Sequence, residues 1–145
     1  MHNWKALFYG FLILLALFTI SSCMMNDRGF PPEVATIDRP AISPSGKYIL
    51  QVTKESENQS NFLRFQILNE NKDVIFMPSE RFAERHTTLF LWDKQDRVWV
   101  YSGDLGTSFW ELNETTGDWN KHDYSSSAVT APEFLKKVRP QQHKK

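Results

Sequence analysis

The sequence predicts a mostly β protein, built either as a small antiparallel meander or as two blade-like sheets. Between residues 37 and 124, short segments rich in β-branched and aromatic residues alternate with polar turns, which is the pattern of successive strands. Aromatic residues make up 14% of the chain, a content that favours a sheet-rich core or a binding face. At 145 residues the chain has the length of one domain.

The first 22 residues have the layout of a secretory signal peptide. A short start with one positive charge, Lys5, precedes fifteen mostly apolar residues, 6–20, and then the small residues Ser21 and Ser22. We expect this segment to be helical. It is shorter than the roughly 20 apolar residues that span a bilayer, which favours a cleaved signal over the alternative, an uncleaved membrane anchor that ends near Cys23.

The sequence Ile20-Ser21-Ser22-Cys23 contains the chain's single cysteine. It resembles the lipobox of bacterial lipoproteins, with Ile20 where leucine is commoner. The resemblance implies that Cys23 carries lipid and anchors the protein to a membrane of the bacterial envelope, facing the periplasm. Met24 stands where an aspartate would favour retention in the inner membrane of enteric bacteria, so the resemblance implies the outer membrane where the host has one.

Residues 23–36 are predicted to be the lipidated cysteine and a flexible tether, because Pro31 and Pro32 favour an extended path and no apolar period is present. The alternative is an arm that lies along the domain and is held there by Phe30 and Val34. The β-rich domain is expected at residues 37–124.

The first turn of the domain is Ser43-Pro44-Ser45-Gly46, in which Gly46 takes a positive φ. An exposed loop is expected at residues 54–61 and a short helical turn at 79–85. Predicted strands cover residues 47–53, 62–68, 74–77, 87–92, 97–101, 108–112 and 118–122.

A weak repeat relates the stretch that begins at Ile42 to the one that begins at Leu91. The segment Ser43-Pro44-Ser45-Gly46-Lys47-Tyr48 resembles the opening of a blade in the WD40-like propellers of periplasmic proteins. Two blades cannot close a ring that needs four or more, so the resemblance implies blade-like sheets and no propeller function.

Residues 125–145 are predicted to form a linker, a short helix at 132–138 that begins with Pro132, and a disordered basic tail from Arg139.

The composition and motifs point to no catalytic or cofactor chemistry, and we expect no enzyme activity, cofactor or metal. Asp118, His122 and Asp123 are close enough in sequence to bind a cation, but a polar strand end is the favoured interpretation. Only Lys5 among the first 22 residues is charged, so the remainder has one more acidic than basic residue. Such a near-neutral domain lacks the basic surface that nucleic-acid binding needs.

The hairpin at residues 87–101 is apolar on both faces, so it is expected at the centre of the domain, with Trp99 in the core. Trp92 and Tyr101 are the candidate exposed aromatics of a binding surface. The predicted function is a lipid-anchored envelope protein that presents a small β-rich binding or structural module to another envelope protein or a cell-wall polymer. The alternatives are an immunity or inhibitor lipoprotein, a small-ligand carrier, or an enzyme whose site has no recognisable motif.

Overall fold

The structure, a computed structural model, describes residues 29–144 and is mostly β. Within that range ten strands form two antiparallel sheets, followed by a 3₁₀ turn and one short helix, which confirms the predicted fold class. The signal peptide and residues 23–28 lie outside the described residues. The elements are β1 (Val34–Ala35), β2 (Ala41–Ile42), β3 (Tyr48–Glu57), β4 (Ser60–Asn69), β5 (Val74–Phe76), β6 (Phe82–Ala83), β7 (Thr88–Trp92), β8 (Val98–Ser102), β9 (Gly106–Leu112), β10 (Trp119–Asp123), the 3₁₀ turn (Tyr124–Ser126) and α1 (Glu133–Val138).

Sheet one has the strand order β1-β7-β8-β9-β10, so its last four strands form an up-and-down meander. Strand β1 adds to the edge of β7, with Val34 opposite Leu91 and Ala35 opposite Phe90. The prediction of a flexible tether through residue 36 is therefore wrong at its end. Val34 and Ala35 are buried, because pairing with β7 places these two apolar side chains in the fold.

Sheet two has the order β2-β3-β4-β5, and β6 pairs with the same edge of β4 farther along. The predicted first turn is present: Gly46 has a φ of 78°, and its N–H donates to the Ser43 carbonyl at 2.9 Å. The predicted loop at 54–61 is wrong, since β3 and β4 pair along ten residues each and leave only Asn58 and Gln59 as the turn. Both turn residues have positive φ, which matches the twist of a tight hairpin.

The helical turn predicted at 79–85 is also wrong, because the chain forms strand β6 there. Phe82 is buried and packs edge-on against Phe90, with ring centroids 5.5 Å apart. A helix here would place like charges at i,i+4, which destabilises it. The strand is favoured instead, because pairing with β4 buries Phe82.

The main core lies between the two sheets. Alternate residues of β3 and β4 point from sheet two towards alternate residues of β7, β8 and β9 in sheet one. Phe65 of β4 meets Trp110 of β9 edge-on at 5.0 Å. The buried members of this core are Ala35, Ala41, Leu50, Val52, Phe65, Ile67, Phe82, Phe90, Trp92, Val98, Val100, Trp110 and Trp119.

The C-terminal segment packs on the other face of sheet one. Tyr124 contacts Trp99 edge-on at 5.6 Å, and Leu135 of α1 is fully buried. The prediction of a disordered tail is wrong for its described part: His143 is only 2% exposed and donates from Nδ1 to the Arg139 carbonyl at 2.9 Å. The outward side chains of β7 and β8 are thus covered by the chain's own end, whereas Asn120 and His122 on β10 are exposed.

Candidate functional site

The predicted aromatic surface does not exist, because both of its members are buried. Trp92 is 1% exposed and faces the main core, where its Nε1–H donates to the Ala41 carbonyl at 2.9 Å and so joins the two sheets. Tyr101 is 8% exposed, since the Arg139 guanidinium lies 5.3 Å from its ring centre and His143 packs beside it. Cys23, the predicted lipidation site, lies outside the described residues.

The prediction that Trp99 belongs to the core is confirmed, although it lies on the face of sheet one that points away from sheet two. Its ring stacks on Phe109 with centroids 4.8 Å apart, and its Nε1–H donates to Asp93 Oδ2 at 2.8 Å. Asp93 is almost fully buried and also accepts from Arg97 Nε at 2.6 Å. Its other oxygen accepts the backbone N–H groups of Gln95 and Arg97. This carboxylate is fully partnered and holds the β7–β8 turn.

An exposed apolar surface occurs instead on the outer face of sheet two. Ile42 lies opposite Ile49, Ile49 opposite Leu68, and Leu68 opposite Val74, so one row of aliphatic side chains crosses all four strands. The neighbouring row, which contains Leu50 and Ile67, faces the core. Since successive side chains on a strand alternate between faces, Ile42, Ile49 and Leu68 face away from the core. On β5 the pairing shifts between Ile67 and Leu68, so the 51% exposure of Val74, and not alternation, extends the row to this edge. The row from Ile42 to Val74 is here called the outer row.

The two ends of the outer row are more exposed than its middle. Ile42 is 65% and Val74 is 51% exposed, whereas Leu68 is buried. Ile75 and Met77, on and just after the same edge strand as Val74, are also about half exposed. Exposed aliphatic side chains that share one row form a patch, whereas single ones are ordinary.

The same face becomes polar away from the outer row. Next to it, Gln66 Nε2 donates to Gln51 Oε1 at 2.7 Å. Farther along, Arg64 forms an ion pair with Glu55 at 3.1 Å. The four residues of the outer row are uncharged, exposed charged residues flank the row at Lys47 and Asp73, and ion-paired residues lie farther along the face. Alternation along the sequence places Ile49 and Leu50 on opposite faces of β3, but it does not say which of the two faces the core.

The possible cation site at Asp118, His122 and Asp123 is not assembled. His122 stacks on Phe109 at 5.0 Å and its Nε2 lies 3.9 Å from Glu111, while Asp123 accepts a hydrogen bond from Ser108. Among residues 29–144, no group of three histidine, cysteine or acidic side chains is placed to hold a metal ion.

A serine, a histidine and an acid do meet near the β8–β9 turn, but not in the order that activates a nucleophile. The hydroxyl of Ser102 donates to Asp104, and this bond lowers the pKa of the Asp104 carboxyl below its usual value. His86 lies on the other side of Asp104, with 3.7 Å between Nε2 and Oδ2. Activation of a serine needs a base that accepts the hydroxyl proton, with the acid behind the base. Here the acid stands between the two, which makes the group a turn-stabilising network.

An open groove of about 550 Å³ lies beside the β3–β4 turn. Phe62, Glu84 and Arg85 are among its lining residues, and no tryptophan is. Lys54 donates to Glu84 at 2.7 Å, and this bond lowers the pKa of the Glu84 carboxyl. The groove is open and is lined by polar and apolar atoms in similar proportion, unlike the deep apolar pocket that a carrier of small apolar ligands uses.

In the part of the chain that the structure describes, no helix has the length and apolar character needed to cross a membrane. Comparison of the chain with protein-family models, with curated proteins and with solved structures returns no match.

Proposed function

We propose that this protein is a lipid-anchored protein of the bacterial envelope, in which a β-sandwich is held at the membrane by Cys23. The observation that carries the proposal is Ile20-Ser21-Ser22-Cys23 at the end of the fifteen mostly apolar residues 6–20. Strand β1 begins at Val34, so only ten residues separate the cysteine from the sandwich. In the lipoproteins that the chain resembles, an aspartate directly after the lipidated cysteine favours the inner membrane. Because Met24 stands at that position here, the chain is proposed to face the periplasm from the outer membrane.

The sandwich is proposed to act as a contact module and not as an enzyme. The support for this part is the outer row of sheet two, an uncharged aliphatic patch with its ends at Ile42 and Val74. The corresponding face of sheet one is covered at β7 and β8 by the C-terminal segment, including Tyr124 and Leu135. Exposed apolar patches on soluble domains commonly mark contact with another protein or with a membrane.

The test of the anchor is Cys23→Ser in the full chain, expressed in a bacterium that processes lipoproteins. We expect the wild type to be cut before Cys23 and to carry acyl groups on that residue, as read by mass spectrometry. It should also partition into detergent, since two or more acyl chains hold a protein firmly on a membrane. The serine variant should remain an uncut precursor without acyl groups. Met24→Ser, the adjacent change that keeps the cysteine, is the matched control and should be processed normally. Acyl-free wild type, or normal maturation of the serine variant, would contradict the proposal.

A further inference from the structure

We propose that the outer row of sheet two rests on the lipid surface of the membrane to which the chain is anchored. This inference depends on the lipid anchor proposed at Cys23 and adds to it a second, non-covalent contact. The contact surface is the aliphatic row with exposed ends at Ile42 and Val74.

The length of chain before the sandwich limits the distance between the sandwich and its anchor. Cys23 and Val34 are eleven residues apart in the sequence, and at about 3.3–3.6 Å per residue the chain between them spans at most about 40 Å. From β1 the chain turns at Thr36 and Arg39, which bridge each other, and enters β2. Strand β2 is the edge of sheet two and holds Ile42. The edge of the outer row is therefore the part of sheet two closest in sequence to the anchor.

The chemistry of the row fits the boundary between lipid headgroups and acyl chains. Its four members, Ile42, Ile49, Leu68 and Val74, are all aliphatic, and the adjacent pair on the same face is the neutral Gln51 and Gln66. The exposed ends, Ile42 and Val74, and the partly exposed Ile49 gain free energy when they leave water for the acyl region, whereas Leu68 is already buried. The row itself carries no lysine or arginine, although Lys47 and Lys72 are exposed beside it, so we expect burial of the aliphatic side chains, and not charge, to dominate the contact.

The size of the row favours a membrane over a protein partner. Four strands at about 4.8 Å spacing make the row about 15 Å wide, and it is one residue deep. Its exposed area is thus at most a few hundred Å², well below the roughly 800 Å² per partner of a standard protein interface. A second copy of the chain, or a free protein, would gain too little from it. The anchored sandwich meets its own membrane at a high effective concentration, so a small patch is sufficient.

The experiment uses the full lipidated chain in phosphatidylcholine vesicles, with one added cysteine that carries the environment-sensitive fluorophore NBD. A lipidated Cys23 has no free thiol, so the added cysteine is the only residue that reacts. Ile42→Cys and Val74→Cys test the two ends of the row, and Asn120→Cys, an exposed position on β10 of sheet one, is the matched control. We expect NBD emission that is several-fold stronger and blue-shifted at positions 42 and 74, is quenched by doxyl-labelled lipid, and changes little when phosphatidylglycerol or salt is added. Position 120 should report water.

Four results would overturn the inference. Equal emission at all three positions would mean that the outer row does not touch lipid. A signal at positions 42 and 74 that disappears as the protein is diluted in lipid would assign the row to a second copy of the chain. Labelling of the unsubstituted chain would show a free thiol at Cys23, which removes the anchor and this inference with it. If the unsubstituted chain does not react with the label and the probe on the Ile42→Cys variant reports water, the lipid contact is refuted while the anchor is not.

Discussion

Replacement of Trp99 by alanine tests whether the second apolar layer, between sheet one and the C-terminal segment, stabilises the fold. Trp99 is fully buried and is packed between Phe109 at 4.8 Å and Tyr124 at 5.6 Å. Truncation of a buried tryptophan costs about 3–5 kcal/mol of unfolding free energy. A domain of this size has about 5–15 kcal/mol in total, so the loss is a large share. Asp93 also loses one of its buried donors, although Arg97 stays in place.

The assay is urea unfolding of a fragment that begins at Gly29, followed by far-ultraviolet circular dichroism. With a denaturant slope of about 1–3 kcal/mol per molar, Trp99→Ala should lower the midpoint by at least about 1 M without changing the slope. The urea midpoint of Trp99→Phe should lie between those of the wild type and Trp99→Ala. The phenylalanine keeps a ring stacked on Phe109 but loses the hydrogen bond to the charged Asp93, a bond of about 1.5–3 kcal/mol. Combining Trp99→Phe with Asp93→Asn in a double-mutant cycle isolates that bond.

Asn120→Ala, an exposed change on β10, is the control and should stay within about 0.5 kcal/mol of the wild type. If Trp99→Ala unfolds at the same urea concentration as this control, Trp99 does not stabilise the fold, and the layer beneath the C-terminal segment is not a core.

The remaining predictions concern the tail and one surface ion pair. His143→Ala should destabilise the fragment by about 1–3 kcal/mol in the same assay, because it removes the partner of Thr107 at 2.9 Å and leaves a half-buried hydroxyl unpaired; an unchanged midpoint would mean that the tail is not docked in solution. Lys54→Met should raise the pKa of Glu84 towards its usual value, as measured by carboxylate NMR titration, because the Lys54 hydrogen bond is the main cause that lowers it. Since the pKa of Glu84 in the folded state lies below its usual value, the pair with Lys54 stabilises the fold at any pH above the usual pKa, and this stabilisation is lost as the pH falls through the lowered pKa. A Glu84 pKa that is the same in the Lys54→Met variant would exclude the pair.

Local patterns in the sequence were sufficient to predict most of the strands. Alternation along residues 47–53 and 62–68 identifies β3 and β4, and Gly46 marks their preceding turn. The predicted loop at 54–61 failed because its residues are polar, while a strand at the end of a two-stranded ribbon can be polar on both faces. Cross-strand hydrogen bonds such as Ser56 to Asn61, at 2.7 Å, hold it instead.

The surface could not be predicted from local patterns, because exposure depends on which distant segment covers each side chain. Tyr101 has a hydroxyl and was expected at a wet edge, but Arg139 and His143, about forty residues later, cover its ring. Trp92 was expected to emerge at its turn, yet its position in β7 directs it towards sheet two, where it meets the Ala41 carbonyl. Neither contact leaves a signal near the residue itself.

The different coverage of the two outer sheet faces does have a source in the sequence. Strand β8 carries large apolar side chains on both faces, Val98 and Val100 towards the core and Trp99 and Tyr101 away from it, so a second cover is required, and residues 124–143 supply it. Strand β3 has an apolar outward side chain only at Ile49, after which its outward positions are polar, so most of that face is stable in water. Phe62 is another apolar outward residue of sheet two, and the Arg81 guanidinium lies 4.8 Å from its ring centre. At the outer row, by contrast, no segment within residues 29–144 covers the ends at Ile42 and Val74. These uncovered ends are why a contact outside the described chain is expected at this row and not elsewhere on the face.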